Sequence, residues 1–145
     1  MSKRIDALEK MVRGEVPGPP AAQLIGFRLT SIRPGEAVME LEASARHANP
    51  MGTLHGGILC DIADAAMGVA YASTLADDES FTTLELKINF LRPVWNDRLR
   101  AIGRVVKGGK TIGLVECDVT ASDGSLVARA VSTCMTLRGD QARGR

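Results

Sequence analysis

The stretch HANPMGTLHGGILCDIADAAMG, residues 47–68, contains the residues that decide the fold. Its second half opens a long helix, predicted over about residues 55–75, with apolar side chains on every side. A helix that is apolar all round must be buried all round. Asp61 and Asp64 nevertheless lie inside this helix, and a buried carboxylate is costly unless it is paired or hydrogen-bonded. The surroundings of these two acids are therefore the first question about the fold.

The sequence on either side of this helix predicts short helices and strands. Hydrophobic residues recur at helical spacing over residues 3–13, GEVPGPP breaks that helix, and PPAAQLIG predicts one further turn. Residues 44–54 predict a loop. Six runs rich in β-forming residues predict strands, at 27–33, 36–43, 80–91, 97–107, 110–121 and 125–137. The last four are separated by the turn sequences RPVWND, KGGK and SDGS, so we expect them to pair largely antiparallel.

The order of these elements predicts the fold class α+β: helix, two strands, long helix, four strands. Alternating βαβ units are missing from this order, which argues against a doubly wound parallel sheet. We expect an antiparallel six-stranded sheet wrapped around one long central helix, because no other predicted element could cover the helix. A single curved sheet covers only part of a helix, and the rest needs a second subunit or another layer. From this we infer a dimer.

Composition excludes several classes of protein. A chain of 145 residues with 45% hydrophobic residues is the size of one compact domain. A net charge of +1 and 3% aromatic residues argue against nucleic-acid binding. We expect no membrane span and no signal peptide, because apolar runs are short and the N-terminus is charged. The three cysteines, Cys60, Cys117 and Cys134, fit no zinc spacing and no disulfide framework, which favours a reducing cytoplasm and buried, unreactive thiols. We expect no metal and no cofactor.

The two acids and the glycine pair before them suggest a site. Asp61 is close enough to the helix start to offset the helix dipole, whereas Asp64 lies too deep for capping, so structural and functional roles both stay open for it. Gly56 and Gly57 let a ligand approach free backbone N–H groups, which point toward developing negative charge as an oxyanion hole requires. A tight turn that merely needs glycine is the alternative reading.

The quoted stretch closely resembles the central motif of the hotdog-fold thioesterase superfamily, and most of all its PaaI-type branch of phenylacetyl-CoA and hydroxybenzoyl-CoA thioesterases. That motif is an Asn, then Gly-x-x-His-Gly-Gly, then an acid nine residues after the His; Asn49, Gly52, His55 and Asp64 all match it. The resemblance continues through 82–94 and 103–133. With the helix break at GEVPGPP and the polar end GDQARGR, this divides the chain into an N-terminal helix and linker (1–19), a single hotdog thioesterase domain (20–138) and a disordered tail (139–145).

The resemblance implies an acyl-CoA thioesterase that releases a free acid and coenzyme A, with subunits paired into a homodimer or a homotetramer. It implies that Asp64 is the general base or the nucleophile, and that Gly57 donates its backbone N–H to the thioester oxygen. Asn49 would orient the water or the carbonyl, and Thr83 would hold the water. Asn49 and Gly57 act with the acid of the neighbouring subunit in such enzymes. His55 is expected to shape the loop rather than take the proton.

Further residues are expected to contact substrate. Gly56 belongs to the glycine pair, and Met51 could touch the acyl group. The resemblance implies that Lys107, Lys110 and Arg92 meet the phosphates of coenzyme A, although solvated turns would explain these cations equally well. Dehydratases of this fold often have a His-Phe-Pro loop, which LHGG does not match. A non-catalytic acyl-CoA-binding or ligand-sensing protein is the alternative function, since fold alone does not decide function. The sequence leaves the acyl group open.

Overall fold

The computed structural model describes residues 2–145, and Met1, the first residue of the predicted N-terminal segment, lies outside the described residues. The helices are α1 (Lys3–Val12), α2 (Pro20–Ile25) and α3 (Gly56–Ala72). The strands are β1 (Arg28–Arg33), β2 (Glu36–Ala43), β3 (Ser80–Phe90), β4 (Asp97–Gly108), β5 (Ile112–Thr120) and β6 (Leu126–Leu137). Short 3₁₀ turns lie at Ala45–His47 and Gly139–Ala142, the second within the predicted disordered tail. The α+β class is confirmed.

The six strands form one antiparallel sheet in the order β1-β2-β4-β5-β6-β3. The turn sequences predict the hairpins β4–β5 and β5–β6 correctly. RPVWND does not close a hairpin, because β4 pairs with β2 and β3 pairs with β6 at the far edge of the sheet. The backbone N–H groups of Leu91 and Arg92 both bond the carbonyl of Val127, which holds the start of the connection against β6. Long-range pairing therefore overrides the local turn signal.

The sheet curves around α3, whose contacts require glycine on two strands. A Cβ at Gly103 of β4 would lie 2.4 Å from the carbonyl oxygen of Ala66. A Cβ at Gly113 of β5 would lie 2.2 Å from the ring of Tyr71. The Tyr71 hydroxyl is hydrogen-bonded to Thr136 on β6 at 2.7 Å, so the buried end of α3 is fixed to the sheet.

The N-terminal segment covers the side of α3 that the sheet leaves open, between the edge strands β1 and β3. Arg4 donates from its guanidinium to the carbonyls of Ala76 and Glu79, and the Asp77 carboxylate accepts the N–H groups of Lys3 and Arg4. Ile5 is buried. The N-terminal segment therefore supplies part of the further layer that the sequence predicts, across a cavity from α3, and dimer formation stays a prediction.

Within the described residues, no helix is both long and apolar enough to cross a bilayer.

Candidate active site

The acids of α3 lie on its one open strip. Asp61 and Asp64 are the two exposed residues of this helix, while Ile62, Ala63 and Ala66 are fully buried against the sheet. Both carboxylates face a cavity of about 580 Å³. The helix thus carries acids without burying them in its core, because they project into a solvent-connected space beneath the N-terminal segment.

This cavity has an apolar interior and a polar rim. Its walls come from α3, from β1, β2 and β3, and from residues 11–27 of the N-terminal segment. Leu29 and Met39 are buried in the lining, whereas Gln23 and Arg28 are exposed. A pocket with apolar walls and a few polar groups at one side is the usual form of a small-molecule site.

Thr83 is the polar neighbour of Asp64. Its hydroxyl lies 3.5 Å from a carboxylate oxygen of Asp64, a long hydrogen bond in which Thr83 donates. Burial raises the pKa of Asp64, the Thr83 bond lowers it, the charge of Asp61 raises it, and the net direction is upward. The carboxylate still meets solvent in the cavity, but the protein around it removes part of its hydration. A β-bulge between Thr83 and Glu85 changes the direction of β3 next to Thr83, and bulges of this kind are common beside active sites.

At the start of α3, His55 is the N-cap, and its Nδ1 accepts the backbone N–H of Gly57 at 2.9 Å. The Gly57 N–H, expected to be the oxyanion donor, is therefore already engaged. The preceding N–H, that of Gly56, has no hydrogen-bond partner among residues 2–145. The donor free to meet a ligand is that of Gly56, whereas the family resemblance singled out Gly57.

Asn49 organises the loop before α3. Its side-chain oxygen accepts the N–H groups of Met51 at 3.0 Å and Thr53 at 3.2 Å, and its amide nitrogen donates to the Thr53 hydroxyl at 2.8 Å. One amide hydrogen is left for a ligand. Asn49 and Gly56 line a second cavity of about 380 Å³, together with Phe90 and Arg92.

Within one chain these donors and Asp64 do not meet. Gly56 and Asp64 are eight residues apart on α3, which places them about 12 Å apart along the helix axis. The cavity that contains Asp64 and Thr83 is lined by neither Asn49 nor Gly56. Met51 is 81% exposed and also lies outside the Asp64 cavity. One chain therefore presents two half-sites.

The candidate phosphate ligands also lie apart. Arg92 adjoins Val127 at the start of β6 and forms an ion pair with Asp123 at 3.4 Å. Lys107 and Lys110 are exposed at the β4–β5 turn, where Thr111 bonds Thr136 near the end of β6. Nine residues of strand, or about 30 Å, separate the two ends. One chain cannot bring Arg92 and the two lysines to the same phosphate.

The thiols are poor nucleophiles in this environment. Burial raises the pKa of Cys117 to about 12, and it raises the pKa of Cys60 and of Cys134 as well. Thiolate is thus scarce at neutral pH. Among residues 2–145, no group of three or more His, Cys, Asp or Glu side chains could hold a metal ion.

Sequence reasoning missed the cavity wall formed by the N-terminal segment. Met11, Pro17, Pro19 and Ala21 line the cavity, although they precede the motif by about 30 residues or more. Gly68, one turn beyond Asp64, was also not recognised as a lining residue. The proline-rich break after α1 is the available signal, since it indicates a stiff segment rather than a free linker.

Comparison with known proteins identifies the family. The family model of the thioesterase superfamily matches residues 51–128. A protein named "Putative esterase" from Saccharolobus solfataricus is 33% identical over 116 residues, covering 80% of this chain and 82% of the relative. The 1,4-dihydroxy-2-naphthoyl-CoA hydrolase of Listeria monocytogenes is 28% identical over 112 residues, covering 77% and 89%. The phenylacetic acid degradation-related protein of Ralstonia eutropha JMP134 superposes with a TM-score of 0.79 at 32% identity, covering 88% and 98%.

The chain therefore belongs to the thioesterase superfamily, and its sheet wrapped around α3 is the hotdog fold. Within that superfamily it is a thioester hydrolase of the PaaI type.

Proposed function

We propose that this protein hydrolyses acyl-CoA thioesters and that Asp64 is its catalytic carboxylate. The observation that carries the proposal is the placement of Asp64: an acid of raised pKa, hydrogen-bonded to Thr83, at the edge of a mostly apolar cavity. A raised pKa brings a carboxylate closer to the working pH of a general base. A pure binding protein has no need of such an acid at the mouth of an apolar pocket.

The chemistry requires that charge on the thioester oxygen be stabilised while the carbonyl carbon is attacked. The free N–H of Gly56 lies at the start of α3, the positive end of the helix dipole, and is suited to bind that oxygen. The remaining amide hydrogen of Asn49, in the same cavity, orients the carbonyl or the water. His55 fixes the loop by accepting from Gly57 and takes no proton.

In the proposed step, Asp64 takes a proton from water as the water oxygen bonds the carbonyl carbon. The tetrahedral intermediate then expels the coenzyme A thiolate, which receives that proton, and the free acid leaves. Direct attack by the carboxylate would instead form a mixed anhydride that water hydrolyses. Single turnover in H₂¹⁸O tests for the anhydride: label in Asp64 identifies this route with water attacking the Asp64 carbonyl, whereas direct attack by water places label only in the product acid.

The separation of the two half-sites supports an active site shared between subunits: Gly56 and Asn49 from one, Asp64 and Thr83 from the other. The isologous pairing of a two-fold dimer would create two such sites. In the dimer or tetramer, Arg92 of one subunit and Lys107 or Lys110 of another could serve one coenzyme A, which a single chain does not permit. We propose these cations as phosphate ligands on that basis.

The test is a thiol-release assay with a panel of acyl-CoAs, comparing Asp64→Asn with the matched variant Asp61→Asn. We expect Asp64→Asn to lower kcat by about 10² or more and Asp61→Asn to keep most activity, with both proteins folded by circular dichroism. Saturable binding without hydrolysis by the wild type would favour the acyl-CoA-binding alternative. Equal activity of Asp64→Asn and wild type would refute the role of Asp64.

Complementation tests the shared site. Asp64→Asn and Gly56→Pro, each inactive, are unfolded and refolded together. A random mixture of dimers should regain about a quarter of wild-type activity, because half the dimers then hold one intact site. If Gly56 and Asp64 of the same chain form the site, mixing restores nothing.

A further inference from the structure

The cavity beside Asp64 also indicates which acyl groups fit. We propose that it takes an unsubstituted, linear aliphatic acyl chain of up to about ten carbons, and that residues 11–25 set this length. This inference rests on the proposed function and names the substrate class of the same site. It depends on three features of the cavity: its polarity, its length and its third wall.

The polarity of the lining changes with depth. Asp61, Asp64, Gln23 and Arg28 are all exposed and belong to the rim. Deeper lining side chains, such as Leu29 and Met39, are buried and apolar. A hydroxyl or carboxyl on the far end of an acyl group would lose its water there and find no partner. The cavity therefore favours a plain hydrocarbon.

The length follows from α3. The lining residues of this helix continue from Asp64 through Gly68 to Ala72, eight residues or about 12 Å along the axis. An extended chain advances about 1.2 Å per bond, as in an extended polypeptide of 3.6 Å per three bonds, so about ten carbons reach Ala72. Gly68 keeps this path open: a Cβ there would lie 3.2 Å from the ring of Phe81. Lining residues that extend about 12 Å along α3 give an extended alkyl chain more contact than they give a single ring.

The third wall is a rigid part of the N-terminal segment. Pro17 and Pro19 line the cavity, and proline fixes the backbone on the approach to α2. The side-chain amide of Gln23 donates to the carbonyl of Gly18 at 2.6 Å, which ties the linker to α2. Arg46 donates to the carbonyl of Ile25 at 2.6 Å and holds the other end of that helix. The wall is therefore formed before substrate binds.

The test is the chain-length profile of kcat/KM for saturated acyl-CoAs from two to sixteen carbons, with benzoyl-CoA and phenylacetyl-CoA alongside. For the wild type we expect a rise of up to about fourfold per methylene, as each added CH₂ is buried, ending near ten carbons. Ala21→Leu fills the cavity from α2, and Met11→Ala enlarges it from α1. The matched control is Ala7→Leu, the same change at an exposed position of α1 outside the cavity.

We expect Ala21→Leu to lower kcat/KM for decanoyl-CoA by at least about tenfold and to leave butyryl-CoA within about twofold, because only the longer chain needs that space. Met11→Ala should move the upper limit to longer chains, and Ala7→Leu should match the wild type. A uniform loss at every chain length, the same shift in Ala7→Leu, or a wild-type preference for the aromatic thioesters would overturn the inference while leaving the thioesterase proposal intact.

If the wild type hydrolyses no acyl-CoA, the proposed function fails, and calorimetric titration with decanoate examines the cavity alone. Binding by the wild type and Ala7→Leu that is lost in Ala21→Leu supports the aliphatic cavity. Equal binding by all three proteins, or none by any, overturns it.

Discussion

Replacing Gly56 by proline should remove the proposed oxyanion donor without harming the fold. Gly56 is the first residue of α3, where the N–H has no intrahelical partner and proline is well tolerated. The residue before a proline must be extended, and His55 already has φ −65° and ψ 132°. The backbone at this position therefore accepts the one residue type that has no N–H to donate.

The magnitude follows from two separate effects. Loss of an oxyanion donor typically costs about 10²–10³ in kcat. Crowding is the second effect, because any Cβ at position 56 would lie 2.8 Å from the Phe90 ring. Phe90 is 55% exposed and can move aside. Gly56→Ala introduces the same Cβ but keeps the N–H, so the ratio of its kcat to that of Gly56→Pro isolates the hydrogen bond.

The assay is kcat on the best acyl-CoA of the panel, with urea unfolding of both variants. Proline and alanine both lower the backbone entropy of the unfolded chain relative to glycine, which favours the folded state and offsets the cost of displacing Phe90. We therefore expect the free energy of unfolding of each variant to stay within about 1 kcal/mol of wild type. We expect Gly56→Pro to be about 10²-fold slower than Gly56→Ala. If the kcat values of the two folded variants agree within about threefold, the Gly56 N–H does not bind the oxyanion, and the inference from its lack of a hydrogen-bond partner is refuted.

Three further outcomes are expected. Thr83→Val removes the hydrogen bond that lowers the pKa of Asp64, so the acid limb of the kcat/KM profile should move to higher pH; an unmoved limb would contradict that coupling. The pKa of Asp64 is higher in the folded than in the unfolded chain, so its contribution to stability is lost as pH rises through the folded pKa. Asp64→Asn should therefore raise Tm at neutral pH, and raise it less in acid, where the wild-type Asp64 is protonated. The opposite trend in thermal melts would rule out a raised pKa. Tyr71→Phe and Thr136→Val should each cost about 1–3 kcal/mol in urea unfolding, since each leaves a buried hydroxyl unpaired, and the double variant should cost less than their sum; additive costs would exclude the coupling.

The elements of this fold were accessible from local sequence. Strand boundaries match the predicted runs closely because alternation and turn residues act over short distances. The main departures are at the ends of α3, which stops at Ala72 rather than near 75. The sheet order was not accessible, because RPVWND is a turn sequence whether or not the strands beside it pair, and β3 pairs with residues of β6 that lie 38 to 57 positions later.

The candidate site divides in the same way. The spacing of His55, the glycine pair and Asp64 is a property of the chain, and it identified the family's motif without coordinates. Which N–H is free is a matter of geometry: the His55 ring turns back to accept from Gly57, and the Gly56 N–H has no partner within residues 2–145. The hydrophobic pattern of the sequence cannot show which of two adjacent glycines has the free N–H, because neither glycine has a side chain that contributes to the pattern.

By itself, then, the sequence determined the element order, the antiparallel α+β class and the motif, because each depends on residues close together in the chain. Tertiary structure alone decided that the N-terminal segment lies across the open side of α3, that Asp61 and Asp64 face a cavity there, and that Asp64 and Gly56 of one chain stay about 12 Å apart. These features depend on how a twisted sheet closes around a helix and where its two edges stop, and no local pattern records that closure.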